Sequence, residues 1–229
     1  MALLELDNVE VTFGGFRAVA GLDLRVNQGE LRCLIGPNGA GKTTALDVIC
    51  GKVKAAAGEI RYRDREITRD EEYVVSRRGI GRKFQVPSVF RELTVRENLS
   101  VALCRPHSVF ANLGSFHRGK KAERLGEIAR LVSLSAELDQ PARWLSHGQT
   151  QWLEIAMLLA QDADLILMDE PTAGMTAAET HKTAELFNQL KGRHTLIVVE
   201  HDMDFVREIG DIISVMQQGR MLAEGTITE

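Results

Sequence analysis

The segment Gly36-Pro-Asn-Gly-Ala-Gly-Lys-Thr43 matches the pattern G-x-x-x-x-G-K-[ST] at every fixed position. The run Glu30–Gly36 before it predicts a buried strand, and Lys42–Cys50 after it predicts a helix that ends at Gly51. Its glycines allow the backbone to wrap closely, so that successive N–H groups and the helix N-terminus face phosphate groups. This context predicts a phosphate-binding loop for a nucleoside triphosphate, rather than a glycine-rich turn with an incidental lysine.

We call Gly36–Thr43 the phosphate loop. In it, Lys42 is expected to bring a positive charge to the β- and γ-phosphates, and Thr43 to offer its hydroxyl to Mg²⁺. The residues predicted to bind the nucleotide in this region are Gly36, Pro37, Asn38, Gly39, Ala40, Gly41, Lys42, Thr43 and Thr44.

Strand-like apolar runs alternate with helical segments on both sides of this loop, which predicts an α/β fold. Leu4–Val11 and Leu22–Val26 are predicted strands near the start. Leu165–Asp169 and Thr195–Glu200 are continuous apolar runs, typical of parallel strands that are covered on both faces. Residues 212–223, with a turn at Gly219, predict a closing hairpin.

The middle of the chain has a different pattern, mainly helical from about Pro87 to Gln161. Thr94-x-x-Glu97 predicts a capping box at the start of one helix, and Leu103–Lys121 is irregular, as expected of an inserted loop or hinge. We therefore expect one domain, with residues 1–86 and 162–229 as an α/β core and residues 87–161 as a helical insertion.

Composition bounds the class of protein. The chain has 229 residues, 44% hydrophobic and 26% charged, as in an ordinary globular protein, and its formal net charge of −4 argues against nucleic acid as a partner. The three cysteines, Cys33, Cys50 and Cys104, form no Cys-x-x-Cys pair; the first two lie among apolar residues and are expected in the core. We expect no signal peptide and no membrane span, and hence a cytoplasmic protein whose membrane role is peripheral.

The run Leu165-Ile-Leu-Met-Asp169-Glu170 supplies a second element of nucleotide chemistry. An apolar strand places Asp169 at its carboxyl end, where it would hold Mg²⁺ through water. Glu170 would polarise the attacking water as a general base. Alone, the two acids would be read as the end of a strand; beside a phosphate loop, they favour hydrolysis.

A third element is Leu145-Ser146-His147-Gly148-Gln149, which we call the signature segment. Ser146-x-x-Gln149 predicts a capping box ahead of an apolar helix. A capped helix N-terminus with an adjacent glycine is also suited to an anion. Both interpretations are compatible.

Leu-Ser-His-Gly-Gln resembles the Leu-Ser-Gly-Gly-Gln signature of the ATP-binding-cassette ATPases. The resemblance covers essentially the whole chain and implies a P-loop NTPase (RecA-like) core, a small antiparallel β region and an inserted α-helical subdomain. It implies ATP and Mg²⁺ as ligands. By its position, Gln85 is similar to the family's glutamine that senses the γ-phosphate and also contacts the metal and the membrane partner. His201 is similar to the family's switch histidine, and Phe13 to the aromatic residue that stacks on adenine.

The resemblance also implies an assembly. Members work as head-to-tail dimers of identical or homologous subunits, so Ser146, Gly148 and Gln149 of one copy would contact the ATP held by the other. Transmembrane permease subunits, and indirectly a periplasmic or extracellular solute-binding protein, are the implied partners, at the inner face of the cell membrane. Val86–Phe90 is an apolar segment that would either line the docking groove or form a buried hinge.

Two positions depart from the family pattern. His147 replaces the first glycine of the signature, while Gly148 retains the second. The segment Ala173-Gly-Met-Thr176 lacks the usual aspartate, and Thr176 with Glu179 predicts another capping box. Hydrolysis is expected to survive, whereas the missing aspartate bears on communication between two ATP sites.

Further stretches narrow the group. Phe13–Val19, Gly79–Gln85 and Glu200–Met203 are similar to ATPases of branched-chain amino-acid uptake. Within that group, the signature segment and Glu170–Met175 look most like the urea and short-amide transporter ATPase. Urea or amide import is thus the expected role, with branched-chain amino acids as the alternative.

Other cassette ATPases fit less well. Those of DNA repair carry long coiled coils or zinc modules, and translation-factor types carry two cassettes in one chain. A non-hydrolysing copy is disfavoured because Lys42, Asp169, Glu170 and His201 are all present.

Overall fold

The structure of the protein is a computed structural model that describes residues 2–83, 89–103 and 116–227. Its chain folds into two compact units. The first unit comprises Met1–Arg82, Asp164–Pro171 and Phe187–Glu229, and the second comprises Lys83–Ala163 and Thr172–Leu186.

An antiparallel sheet forms part of the first unit. Its strands are β1 (Ala2–Phe13), β2 (Phe16–Asn27), β4 (Ala57–Tyr62) and β5 (Arg65–Glu66), in the order β2-β1-β4-β5. The predicted strands at Leu4–Val11 and Leu22–Val26 are confirmed but were predicted too short. Both strands reach the Gly14-Gly15 turn at one end and pass the predicted boundary at the other, because their pairing extends from Ala2↔Asn27 to Phe13↔Phe16.

The second sheet of this unit carries the parallel strands. Its strands are β3 (Leu31–Ile35), β6 (Ile80–Lys83), β7 (Leu165–Asp169), β8 (Thr195–Val199), β9 (Ile212–Gln217) and β10 (Arg220–Gly225), in the order β10-β9-β3-β8-β7-β6. The strand β3 pairs parallel with β8 and β9, and β7 pairs parallel with β8. The runs Leu165–Asp169 and Thr195–Glu200 are thus confirmed as parallel strands, although the second ends at Val199. The carboxyl ends of β3, β7 and β8 meet at one edge of the sheet.

One core holds the two sheets of the first unit together. It joins residues of β1 and β2 with Leu34, Leu167 and Ile197 of the parallel sheet and with Leu46 and Ile49 of the helix α1 (Lys42–Ile49), all nearly inaccessible to solvent. Burying each such side chain contributes roughly 1.5–3 kcal/mol. Two further helices of this unit are α2 (Glu72–Arg77) and α7 (Met203–Ile209). The buried cysteines belong here, as expected; burial raises the pKa of the Cys33 thiol to about 12.

The second unit is helical. It contains α3 (Val95–Ala102), α4 (Phe116–Leu131), a 3₁₀ turn (Ala142–Trp144), α5 (His147–Ala160) and most of α6 (Ala177–Leu190). The capping box Thr94–Glu97 is confirmed in both of its hydrogen bonds. The prediction of irregular structure up to Lys121 is wrong from Phe116 onward, because the helix formers around Lys121 outweigh Gly119. Residues 104–115 of that segment lie outside the described ranges.

Asn98 fixes the chain ahead of α3. This side chain is fully buried; its Oδ1 accepts from the Phe90 N–H at 2.8 Å, and its Nδ2 donates to the carbonyls of Phe90 and Thr94 at 3.0 and 2.9 Å. The Phe90 side chain itself is half exposed. Within the ranges that the structure describes, no helix has the length and apolar character needed to cross a membrane.

Candidate functional site

The carboxyl edge of the parallel sheet gathers the predicted catalytic segments of the first unit. The phosphate loop follows β3 and leads into α1, Asp169 ends β7 with Glu170 directly after it, and His201 follows β8. These segments are far apart in sequence and are brought together by strand order alone. The site is thus a direct product of the parallel topology.

Glycine is required at both ends of the phosphate loop. Gly36 has φ 145°, and a Cβ there would lie 2.1 Å from the Met216 carbonyl oxygen. Gly41 has φ 98°, and a Cβ there would lie 2.4 Å from the Ala18 carbonyl oxygen. Because backbone atoms cannot yield as a side chain does, these two contacts fix the loop against β9 and β2.

Lys42 lies inside the curve of the loop. Its Nζ donates to the carbonyl oxygens of Gly36 at 2.7 Å and Pro37 at 3.0 Å. Burial lowers the pKa of this ammonium group, while the charges of Asp169 and Glu170 oppose that shift. The lysine is therefore partly stripped of water and held by weak neutral acceptors, which an anionic phosphate would replace favourably.

Asp169 is a buried carboxylate with one oxygen atom that can still accept a ligand. The Thr43 hydroxyl donates to it, and burial raises its pKa against the opposing effects of Thr43 and Arg82. Its Oδ2 atom accepts no hydrogen bond and lies 4.0 Å from a guanidinium nitrogen of Arg82. A buried carboxylate oxygen in this state, beside a threonine hydroxyl, is a donor set of the hard-oxygen type that Mg²⁺ prefers.

Glu170 and His201 face each other at the mouth of the site. The His201 Nε2 atom lies 3.0 Å from Glu170 Oε1, and both side chains are 42% exposed. Glu170 adopts φ 48°, an uncommon conformation for a residue other than glycine, and its N–H donates to the Val199 carbonyl. The backbone thus turns sharply after Asp169, so that the carboxylate of Asp169 is buried while that of Glu170 is partly exposed to solvent.

Most of these residues line one open pocket of about 440 Å³. This size suits a nucleotide. Its lining residues are Phe13, Phe16, Ala18, Asn38, Gly39, Ala40, Gly41, Lys42, Thr43, Thr44, Glu170, Val199 and His201. Of the predicted residues in the first unit, Gly36, Pro37 and Asp169 stand behind this lining and contact Lys42 or Thr43.

Sequence reasoning missed two residues of this region. Phe16 lines the pocket, is 67% exposed and pairs across the hairpin with Phe13, which is 50% exposed. The repeated aromatic in Phe13-Gly-Gly-Phe16 was the available signal. Arg82, which forms ion pairs with Asp47 of α1 and with Asp169, had no signal, because only the fold brings β6 to these carboxylates.

The signature segment starts α5 in the second unit. Its capping box is confirmed: Gln149 N–H donates to Ser146 Oγ at 3.2 Å, and Ser146 N–H donates to Gln149 Oε1 at 2.9 Å. The predicted box of Thr176 and Glu179 is confirmed as well. Gln85 and Val86–Ser88 lie outside the described residues.

His147, the departure from the usual signature, has a structural partner in the same unit. Its Nε2 atom lies 2.9 Å from the Ala173 carbonyl oxygen. A carbonyl only accepts, so Nε2 carries the proton in this contact. His147 thereby ties the start of α5 to the segment that replaces the usual aspartate loop.

The fold and the site together define a P-loop nucleotide-binding domain. Its phosphate loop, buried metal-type carboxylate and adjacent acid fit ATP with Mg²⁺ on the chemistry of the residues themselves.

Comparison with known proteins narrows this class. The sequence profile described as ABC transporter matches residues 19–173. The probable branched-chain amino acid transport ATP-binding protein LivG of Methanocaldococcus jannaschii is 34% identical over 98% of this chain and 90% of its own. An ATP-binding cassette of an ABC transporter, solved in its ADP conformation, has a TM-score of 0.85 and 34% identity over 99% of this chain and 91% of its own.

A dimeric ATP-binding cassette in a post-hydrolysis state, bound to ADP and Pi, has a TM-score of 0.81 and 26% identity, with 98% of each chain covered. This chain belongs to the ABC transporter family. It is an ATP-binding and ATP-hydrolysing subunit of such a transporter.

Proposed function

We propose that this chain powers solute import by hydrolysing ATP at the pocket of the first unit, in a head-to-tail pair with a second cassette. The observation that carries the proposal is the convergence of Lys42, Thr43, Glu170 and His201 on one pocket. Loop, base and switch residue each come from a different segment, and all three face the same volume. The stability of the fold alone does not explain why these four side chains line the same pocket.

Each residue has a role in the proposed reaction. Lys42 leaves its two carbonyl partners to bind the β- and γ-phosphates, and Phe13 or Phe16 stacks on adenine. Glu170 accepts the proton of the attacking water, while His201, 3.0 Å away, orients that carboxylate and contacts the γ-phosphate. Thr43 and Asp169 would hold Mg²⁺, which supplies charge neutralisation at the phosphates. Gln85 would complete the metal site.

The second half of each site is supplied by the signature segment of the other copy. Ser146 and Gly148 would contact the γ-phosphate, and Gln149 would support the helix start, where its Nε2 donates to Glu137 Oε1 at 3.1 Å. Each chain forms one cassette, with residues 1–86 and 162–229 as the ATP-binding core and 87–161 as the helical part. Loss of the γ-phosphate then removes the charge that joins the copies.

We place the permease contact at the segment that ends in Phe90. The backbone of Phe90 is held by Asn98 while the Phe90 side chain is half exposed, an arrangement suited to an apolar partner. The chain would thus act at the cytoplasmic face of the membrane, and a solute-binding protein would act through the permeases. Substituting Phe90→Glu is expected to release the chain from membranes that contain its permeases while ATP binding persists.

The transported solute has two candidates. Relatives such as LivG, named for branched-chain amino acid transport, support branched-chain amino acids. The signature segment and Glu170–Met175 support urea or a short amide, by local resemblance only. Uptake of labelled leucine and labelled urea, compared between host cells with the native chain and with Glu170→Gln, separates the two: only the true solute loses ATP-driven uptake.

The proposed site is tested with Glu170→Gln protein in vitro. Because this variant keeps the shape of the base but cannot take the proton, it is expected to bind ATP and accumulate as a dimer on a sizing column. Glu185→Gln, an exposed glutamate of α6, is the matched control and is expected to hydrolyse ATP normally. Rapid hydrolysis by the Glu170→Gln chain, with no dimer, would contradict the assigned base.

A further inference from the structure

The carboxylate of Glu179 lies directly on the signature segment. Ser146 Oγ donates to Glu179 Oε1 at 3.1 Å. A Cβ added at Gly148 would lie only 2.4 Å from the same oxygen. Glu179 therefore packs against the Cα of Gly148, and the missing side chain of this glycine is what gives the carboxylate its place.

The same carboxylate is anchored to the start of its own helix. Its Oε2 atom accepts from the N–H and the hydroxyl of Thr176 at 3.0 and 2.9 Å. These hydrogen bonds are the main cause of a lowered pKa for Glu179, to which Ser146 and His147 add. One oxygen thus caps α6 while the other is presented, as a negative charge, to the N-terminus of α5.

The proposed function assigns Ser146 and Gly148 to the γ-phosphate of the ATP bound by the other copy. A serine hydroxyl donates one hydrogen bond, and in this structure Glu179 accepts it. Phosphate and carboxylate are both anions, so they repel each other at contact distance. The phosphate therefore enters only when the carboxylate turns away.

We propose that Glu179 acts as an internal stand-in for the γ-phosphate: it holds the signature segment in the free chain and competes with the partner's ATP, thereby setting the affinity of the ATP-bound dimer. This inference rests on the proposed function. Because the competing group is a side chain with rotatable bonds, displacement leaves the backbone of α5 and α6 in place. After hydrolysis and phosphate release, the carboxylate returns to Ser146 and favours separation of the copies.

The substitution Glu179→Gln isolates the charge from the cap. Glutamine is as good as glutamate at this capping-box position, so Thr176 keeps its partner while the negative charge is removed. Glu185→Gln removes a charge from the exposed face of the same helix, where Glu185 lies 3.7 Å from His181, and serves as the matched control. Glu179→Ala removes charge and cap together, and its thermal midpoint reports the loss of the cap.

The measurement is the dissociation constant of the dimer with ATP and Mg²⁺, by sedimentation equilibrium, in Glu170→Gln protein that cannot hydrolyse the nucleotide. Relief of the like-charge contact by Glu179→Gln is expected to lower this constant roughly tenfold. Glu179→Ala is expected to lower it too, although its thermal midpoint falls, and Glu185→Gln to leave it unchanged. ATP binding to the dilute monomer is expected to be equal in all variants.

Two outcomes contradict the inference, and they are distinguishable. Dimers that form with equal or weaker affinity when Glu179 loses its charge would overturn the competition alone, leaving the shared site intact. Absence of ATP-dependent dimers in every variant would overturn the proposed head-to-tail site and the competition with it.

Discussion

Two helix N-termini in this chain are built for an anion, and they differ in how they are completed. The start of α1 lies in a pocket that its own unit furnishes with Lys42, Thr43 and Glu170. The start of α5 offers the Ser146 hydroxyl and the Cα of Gly148, and the carboxylate of Glu179 from the same chain already lies against both. The first is a binding site within one chain; the second becomes one only when another molecule supplies the anion.

The two sites also differ in what holds them. A Cβ at Gly36 or Gly41 would clash with a backbone carbonyl of a neighbouring strand, and the backbone there cannot move aside. Gly148 meets a glutamate side chain, which is able to rotate away. A rigid loop thus suits the nucleotide that stays bound, whereas a movable contact suits the surface that must join and leave a partner in each cycle.

The largest expected effect comes from removing Lys42, the cation of the first site. We expect Lys42→Ala to lower ATP hydrolysis by roughly 10²–10³-fold, because it removes a positioned charge from the phosphates. Lys52→Ala is the control: this lysine pairs with Asp47 on the surface and is half exposed. A steady-state assay with an unchanged thermal midpoint checks the result. Near-normal hydrolysis in Lys42→Ala would remove the basis for calling the first site self-contained.

The α5 site is expected to act only together with the phosphate loop of another molecule. Ser146→Arg fills the place of the phosphate and is expected to abolish hydrolysis by itself. Mixed in equal amounts with Lys42→Ala chains, it is expected to recover about a quarter of the native rate, because half of the random pairs contain one intact site out of two. The two variants assayed separately provide the baseline. No recovery in the mixture would show that signature and phosphate loop are not shared between chains.

The same contrast explains how far the sequence alone predicts this protein. The phosphate loop, Asp169 and Glu170 were predictable because one short pattern and one apolar strand fix both their chemistry and their place. The capping box of Ser146 was predictable for the same local reason. Arg82 beside Asp169, and Glu179 on Gly148, were not: each contact joins residues distant in sequence, and a glutamate in a capping box gives no sign that its other oxygen faces a second helix.

The smallest expected effect concerns His147, the irregular position of the signature. Its hydrogen bond to the Ala173 carbonyl is exposed, and such a bond contributes about 0.5–1.5 kcal/mol. His147→Gly restores the usual glycine and is expected to change the hydrolysis rate no more than about threefold, with a thermal midpoint lower by a few degrees. His147→Gln, which keeps a donor at similar reach, is expected to recover the midpoint. A loss of hydrolysis in His147→Gly as large as that in Lys42→Ala would mean that the histidine itself contacts the nucleotide, and the second site would then bind phosphate through a side chain besides Ser146.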